Sequence, residues 1–241
     1  IQQGNNQAGG YVMKKIDKND ILDQLRRRII TMDLTPGEPL DETLLCKELN
    51  ISRTPLREIL RLLSGEGYIR IMENRGAFVS PMDYHSMRNF FQTAPMIYAA
   101  ISRLAAERAL PADIDRLADD QNRFRDAMES RSVNGMIYYN VRFHHNIGVI
   151  ADNEFLQPSL QRLLIDHARI GMTFWNSHDE TRLDRIRQAC ADHDRLIEAL
   201  AANAADSAVE ITIEHWQLSK NHSDEFIQPN PLTDADTLIA E

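Results

Sequence analysis

The chain has 241 residues, a formal net charge of -9 and 43% hydrophobic residues, enough apolar content for one large core or two modest ones. No apolar run approaches the ~18 residues of a membrane span, and no basic segment with an apolar core and a cleavage site opens the sequence, so a cytoplasmic protein is expected rather than a membrane or secreted one. Cys46 and Cys190 are only two and far apart, which fits a reduced compartment better than a disulfide framework.

The opening IQQGNNQAGGYV is polar, glycine-bearing and aperiodic. Residues 1–13 therefore read as a disordered tail or an expression remnant, with Met13 a candidate start. In DILDQLRRRIITMDL, Ile21, Leu25 and Ile29 share one helical face with Leu22 and Ile30 beside it, while Arg26, Arg27 and Arg28 cluster opposite. TPGEPL stops that helix, because two prolines and a glycine cannot continue it. DETLLCKELN predicts a short second helix capped by Asp41 and ending at Asn50. Ser52 then caps a third helix, and Pro55 is tolerated there because first-turn amides have no intrahelical partner.

In that third helix Leu56, Ile59, Leu60 and Leu63 follow the spacing of a buried stripe, and Arg53, Arg57 and Arg61 recur every fourth residue on another face. Helices in this order, joined by short turns, form a helix-turn-helix unit whose last helix fits a major groove. GYIRIMENRGAFVSP reads as strand, turn, strand around Asn74-Arg75-Gly76, a hairpin wing. Charge divides in the same place. Lys14 to Ser80 carries 12 Lys+Arg against 11 Asp+Glu, and the chain from Pro81 on carries 15 against 25. A locally basic reading head on an acidic body is the expectation.

The stretch LTPGEPLDETLLCKELNISRTPLREILRLLSGEGYIRIMENRGAFV resembles the winged-helix DNA-binding domain of GntR-type transcription regulators over essentially all of residues 16–82. Its PGE.L, SRTP.RE and G.FV elements lie in the family's order and spacing. The resemblance implies that Arg53, Thr54 and Arg57 meet double-stranded DNA and that the wing tip at Gly76 enters the minor groove. Ser52, Pro55 and Arg75 complete the candidate interface. The chemistry agrees, since helix N-termini and hydroxyls position phosphates while arginines hold guanine edges bidentately.

After Pro81 no strand pattern appears. MRNFFQTAPMIYAAISRLAAERAL is helical by periodicity, with Pro95 a kink point. Further helices are legible in ADIDRLADDQNRFRDAMES, GMIYYNVRFHHNIGVIA, EFLQPSLQRLLIDHARIGMTFW, ETRLDRIRQACADHDRLIEALAA and ADSAVEITIEHWQLSKNHSDEF. The expected fold is mainly α: a winged helix-turn-helix with a small β-hairpin wing over 14–82, an antiparallel all-α bundle over 83–230, and a tail at 231–241.

Histidines mark the bundle. His144 lies with Val141 and Ile147, His193 with Leu196, Ile197 and Leu200, and His215 with Ile211 and Leu218, each along an apolar stripe. A single interior histidine is usually a satisfied core residue. Histidines from separate helices that converge in a bundle are natural ligands for a divalent metal. Spacing leaves both readings open. His167, with Leu163, Leu164 and Phe174, is a rival ligand or core residue, and His85, His145, His178 and His222 read as ordinary.

Residues 84–228 resemble the all-helical ligand-sensing FCD domain of the FadR subfamily. Many members carry D-x-x-F-H, then a histidine in a D-H or E-H context, then a third. Here those positions read Asn140-Val141-Arg142-Phe143-His144, Asp192-His193 and Glu214-His215. The histidines match, but Asn140 replaces an aspartate, and an uncharged amide oxygen is a weaker ligand. Members that sense carboxylates carry an arginine and a glutamate where this chain has Ala94 and Tyr98, so an organic-acid effector is not implied. The resemblance implies a homodimeric, effector-responsive repressor on a pseudo-palindromic operator. It also implies one divalent metal, zinc or nickel, on His144, His193 and His215, with Asn140 as a weak fourth ligand or a partner behind them. A three-histidine hydrolase and a regulator without metal are the alternatives. No carboxylate base or nucleophile accompanies the histidines in sequence, no catalytic residue is assigned, and an enzyme gives no reason for the reading head.

Overall fold

Asp17 starts the first helix, α1 (Lys18–Ile30), by accepting from the Asn19 amide, and the helix buries Ile21, Leu22, Leu25 and Ile29. The computed structural model describes residues 17–175 and 180–227. The predicted tails at 1–13 and 231–241, His178, and the side chains of Phe174 and His222 lie outside the described residues. A two-residue strand, β1 (Pro39–Leu40), precedes α2 (Glu42–Glu48), where Asp41 accepts from the Thr43 and Leu44 amides as expected. Helix α3 (Arg53–Glu66) takes Pro55 in its first turn and buries Leu56, Ile59, Leu60 and Leu63. Ser52 holds the N-cap position, yet its hydroxyl makes no capping hydrogen bond. The predicted cap is thus one of position only.

Gly67 ends α3 at φ 92, a conformation that a Cβ would disfavour. Strands β2 (Ile69–Met72) and β3 (Gly76–Val79) form the predicted wing. The sheet order is β1-β3-β2, antiparallel throughout. Sequence reading missed β1, because two residues are too few to show alternation. Pro39 pairs with Phe78 and Leu40 with Ala77, so the stretch that stops α1 also anchors the wing. Ala77 and Val79 join the α1–α3 leucines and isoleucines in one small core.

The remainder is helical: α4 (Tyr84–Arg108), α5 (Pro111–Glu129), α6 (Val133–Ala151), α7 (Gln157–Trp175), α8 (Glu180–Ala201) and α9 (Ala205–Ile227). Helix α4 continues on both sides of Pro95, the expected kink point. Ala94 and Tyr98 are both buried there, and that packing holds the helix across the missing amide. Helix α7 starts at Gln157 rather than near Glu154, because Asn153 Oδ1 accepts from the Phe155 and Leu156 amides and fixes a turn first. Helix α4 packs on α6 and α9, α5 on α6 and α8, and α6 on α7. Their apolar stripes meet in a second core containing Phe90, Ala94, Tyr98, Phe143, Ile147, Leu196, Leu200, Ile211 and Trp216. Among the described residues no helix is long and apolar enough to cross a membrane.

Candidate metal centre and nucleic-acid interface

Three helices each send one histidine into the second core. His144 comes from α6, His193 from α8 and His215 from α9, and all three are buried, His215 least at 9% exposure. One nitrogen from each lies within 4.8 Å of the others. Nε2 of His144 and Nε2 of His193 are buried without a hydrogen-bond partner, and His215 Nδ1 has only Asp192 Oδ2 beside it, at 3.5 Å. Burying a polar atom unpaired costs roughly 1–3 kcal/mol, so convergent unpaired lone pairs fit a cation better than a finished core. Burial, and then the neighbouring imidazoles, holds His144 and His193 well below the ordinary histidine range. Both rings are therefore neutral at physiological pH, the form a metal needs.

The surroundings fix how these rings stand. His193 Nδ1 lies 3.1 Å from Gln121 Oε1. An amide oxygen only accepts, so Nδ1 carries the proton and Nε2 keeps its lone pair toward the other histidines. Gln121 is itself held, donating through Nε2 to the Cys190 carbonyl at 2.7 Å and to Asp194 Oδ1 at 3.0 Å. Arg125 closes the chain with both Asp194 oxygens at 2.9 Å, and Phe143 stacks on the His193 ring at 4.3 Å. Sequence reading missed Gln121. The available signal was a glutamine on the buried stripe of α5 between Leu117 and Phe124.

Asn140 and His167 take positions behind the trio. Asn140 Nδ2 lies 3.2 Å from His167 Nε2, and His167 Nδ1 lies 2.9 Å from the Tyr98 hydroxyl. The amide donates to Nε2, so Nδ1–H of His167 donates to Tyr98. Both nitrogens of His167 are thereby engaged, and burial pushes its pKa down to about 3. The rival ligand is a neutral spacer, its ring centroid 5.0 Å from that of His144. Tyr98 also stands edge-on to His144 at 5.2 Å and to Trp216 at 4.8 Å. Ala94 lies one turn away on the same buried face of α4.

The expectation that no carboxylate accompanies the histidines is overturned. Asp192, 3% exposed, places Oδ2 3.5 Å from His215 Nδ1. Burial opposes its ionisation, yet His215, Gln188 and Arg195 together hold it below the usual carboxylate range. Gln188 Nε2 donates to it at 2.9 Å, and Arg195 pairs with it at 3.3 Å. In the sequence Asp192 stands only as the residue before His193, because its contact with His215 runs to another helix.

At the other end of the molecule Ser52, Arg53, Thr54 and Arg57 are exposed on the first turns of α3, with Pro55 half-buried. Each arginine is steadied from α2. Arg57 Nε donates to Glu42 Oε2 at 2.9 Å, and an amine of Arg53 donates to Thr43 Oγ1 at 3.2 Å. A guanidinium held through Nε keeps both terminal amines for a second bidentate contact. Arg75 sits at the exposed hairpin tip, 5.8 Å from the Phe78 ring centroid. Gly76 beside it adopts φ 92, and a Cβ there would meet nothing within 4 Å. Backbone conformation rather than space therefore requires glycine at the tip.

Comparison with known proteins is consistent with both regions. Residues 17–79 match the family model described as bacterial regulatory proteins, gntR family, and residues 91–218 match that of the FCD domain. The Nta operon transcriptional regulator of Aminobacter aminovorans is 25% identical over 199 residues, covering 83% of this chain and 89% of that protein. The HTH-type transcriptional repressor RspR of Escherichia coli (strain K12) is 26% identical over 169 residues, covering 70% and 67%. The solved structure of E. coli McbR/YncC shares the fold, with a TM-score of 0.74 at 17% identity over 88% of this chain and 98% of that one.

Proposed function

The chain belongs to the GntR family of bacterial regulatory proteins and carries an FCD domain after its winged helix, and from that premise we propose a cytoplasmic transcription repressor whose operator affinity is set by a small molecule at a metal-holding site. Its families and relatives are transcription regulators rather than enzymes. The observation that carries the metal reading is the meeting within 4.8 Å of imidazole nitrogens from three helices in a buried site, with Nε2 of His144 and of His193 lacking any partner. RspR, described as a repressor, supports that direction of control.

His144, His193 and His215 would hold one divalent ion, and imidazole donors suit zinc or nickel better than calcium or magnesium. When bound, the ion supplies a Lewis-acidic anchor for a donor atom of the effector. The chain's own residues do the rest. Gln121 orients His193, Asp192 stands beside His215, and Asn140 is a weak fourth ligand or stays with His167. Helix α4 offers a methyl group at Ala94 and a phenol at Tyr98, so the effector meets a neutral face there. In the reading head, Ser52, Thr54 and Pro55 place the first turn of α3 against phosphates. Arg53 and Arg57 read base edges, and Arg75 and Gly76 carry the wing to the minor groove.

The test is elemental analysis of tag-free protein. Under metal-replete conditions the wild type should hold about one metal per chain, and a His193→Ala, His215→Ala double variant close to none. A wild type that emerges metal-free and resists reconstitution removes the metal from this reading and leaves the DNA-binding role standing.

A further inference from the structure

Helix α7 faces two ways within two turns. His167 points to the metal-ligand cluster through Tyr98 and Asn140. Asp166, its neighbour, pairs with two arginines of the same helix, Arg162 and Arg169, that reach the winged helix. Arg169 is fully buried, pairs with Asp166 Oδ1 and donates to the Ser80 carbonyl at 2.6 Å. Arg162 donates to the other Asp166 oxygen at 2.8 Å. The Arg162 side chain lies so close to Gly67 that a Cβ there would stand 2.3 Å from its Cδ. Gly67 is the residue that ends the reading helix α3. Ser80, just past the wing, binds the same corner, donating from its hydroxyl to the Gly67 carbonyl at 2.7 Å and from its amide to the Tyr68 carbonyl at 3.0 Å.

A wholly buried guanidinium is costly unless it is paired, and an apolar side chain of similar volume would hold two surfaces together at least as well. What Arg169 adds is direction. Its planar fork ties one backbone carbonyl and one carboxylate in a fixed relation. We propose that the Arg162–Asp166–Arg169 clasp is the joint through which the state of the histidine pocket reaches the reading helix. This rests on the regulatory reading above. His167 and Asp166 are consecutive residues of one rigid helix, so a pocket change that displaces His167 from Asn140 or Tyr98 displaces the clasp, and with it Gly67 and Ser80. By thermodynamic reciprocity the same joint carries the effect of DNA back to the pocket.

The full-length protein tests this with zinc ion as the pocket probe and a duplex carrying the operator as the other ligand. Wild-type operator affinity should change by at least about fivefold on zinc binding, the lower end of ordinary coupling. In Arg169→Met, and in the partly exposed Arg162→Ala should the first variant fold poorly, that ratio should fall to within about twofold, with zinc content unchanged. Hydrogen exchange gives a second, metal-free arm. Operator DNA should alter amide exchange in α6 around His144 in the wild type and not in the clasp variants. Variants that keep the wild-type zinc ratio or the wild-type exchange response overturn the proposal. So does a wild type that binds both zinc and operator with neither affecting the other. A wild type that binds no zinc defeats the metal reading alone, and the exchange arm then decides for or against the clasp.

Discussion

Gln121 shows how one uncharged side chain can decide the chemistry of a neighbour. Its carbonyl oxygen leaves His193 only one tautomer, and that tautomer turns a lone pair toward His144 and His215. Replacing Gln121 with Met should therefore weaken zinc binding by about 10- to 100-fold, the usual cost of losing such a partner. Chelator competition on a variant shown folded by circular dichroism measures it, and unchanged affinity would mean the tautomer is set elsewhere. The histidines themselves were legible in the sequence, since each falls on an apolar stripe of its own helix. Gln121 was not, because its bond to His193 joins residues 72 apart and no periodicity within one helix encodes it. The same division holds in the reading head. Arg57 was legible from the spacing of α3, while Glu42, which steadies it, was not. Arg57→Ala should cost roughly 1–3 kcal/mol of operator binding through a lost bidentate guanine contact. A folded variant with unchanged gel-shift affinity would show that Arg57 reads no base.

Among elements, those with long apolar periods were readable and those made by contact alone were not. Helices α1, α3, α5, α6 and α8 lie close to where their stripes place them. Strand β1 exists only because β3 is there to pair with it, and the start of α7 depends on the Asn153 turn. Gly67 stands between these cases. Its role as the stop of α3 is a local backbone matter, yet Arg162 from a distant helix fills the space where a side chain would go. Gly67→Ala must hold alanine at φ 92 and push Arg162 aside. A loss of about 1–2 kcal/mol is expected from the left-handed backbone alone, read as a lower urea midpoint. A midpoint equal to wild type would mean that α3 ends differently in solution.

For the whole molecule, the question is how a chain of net charge -9 holds DNA. Two of the three arginines clustered on α1 are already paired. Arg26 is paired with Asp23 and Glu66, and Arg28 with Glu48. Lys18 is likewise paired with Glu58. These pairs, with Arg57 and Glu42, take up part of the general attraction, and the acid-rich chain from Pro81 on adds repulsion. On the proposed interface, specific affinity comes from the first turns of α3 and from the wing, a small footprint for one copy. Two copies on a two-fold site double the contacts and add their free energies in one binding event, so that their binding constants multiply. A homodimer is therefore expected, with half-sites about one helical turn apart or a multiple of it. Light scattering should report twice the 27.6 kDa chain mass at micromolar concentration, free and on operator DNA. An operator cut to one half-site should lose affinity far beyond twofold, since the second head then has nothing specific to grip. A monomer in both states, binding half and whole operators alike, would leave the charge balance of this chain without a route to specific recognition.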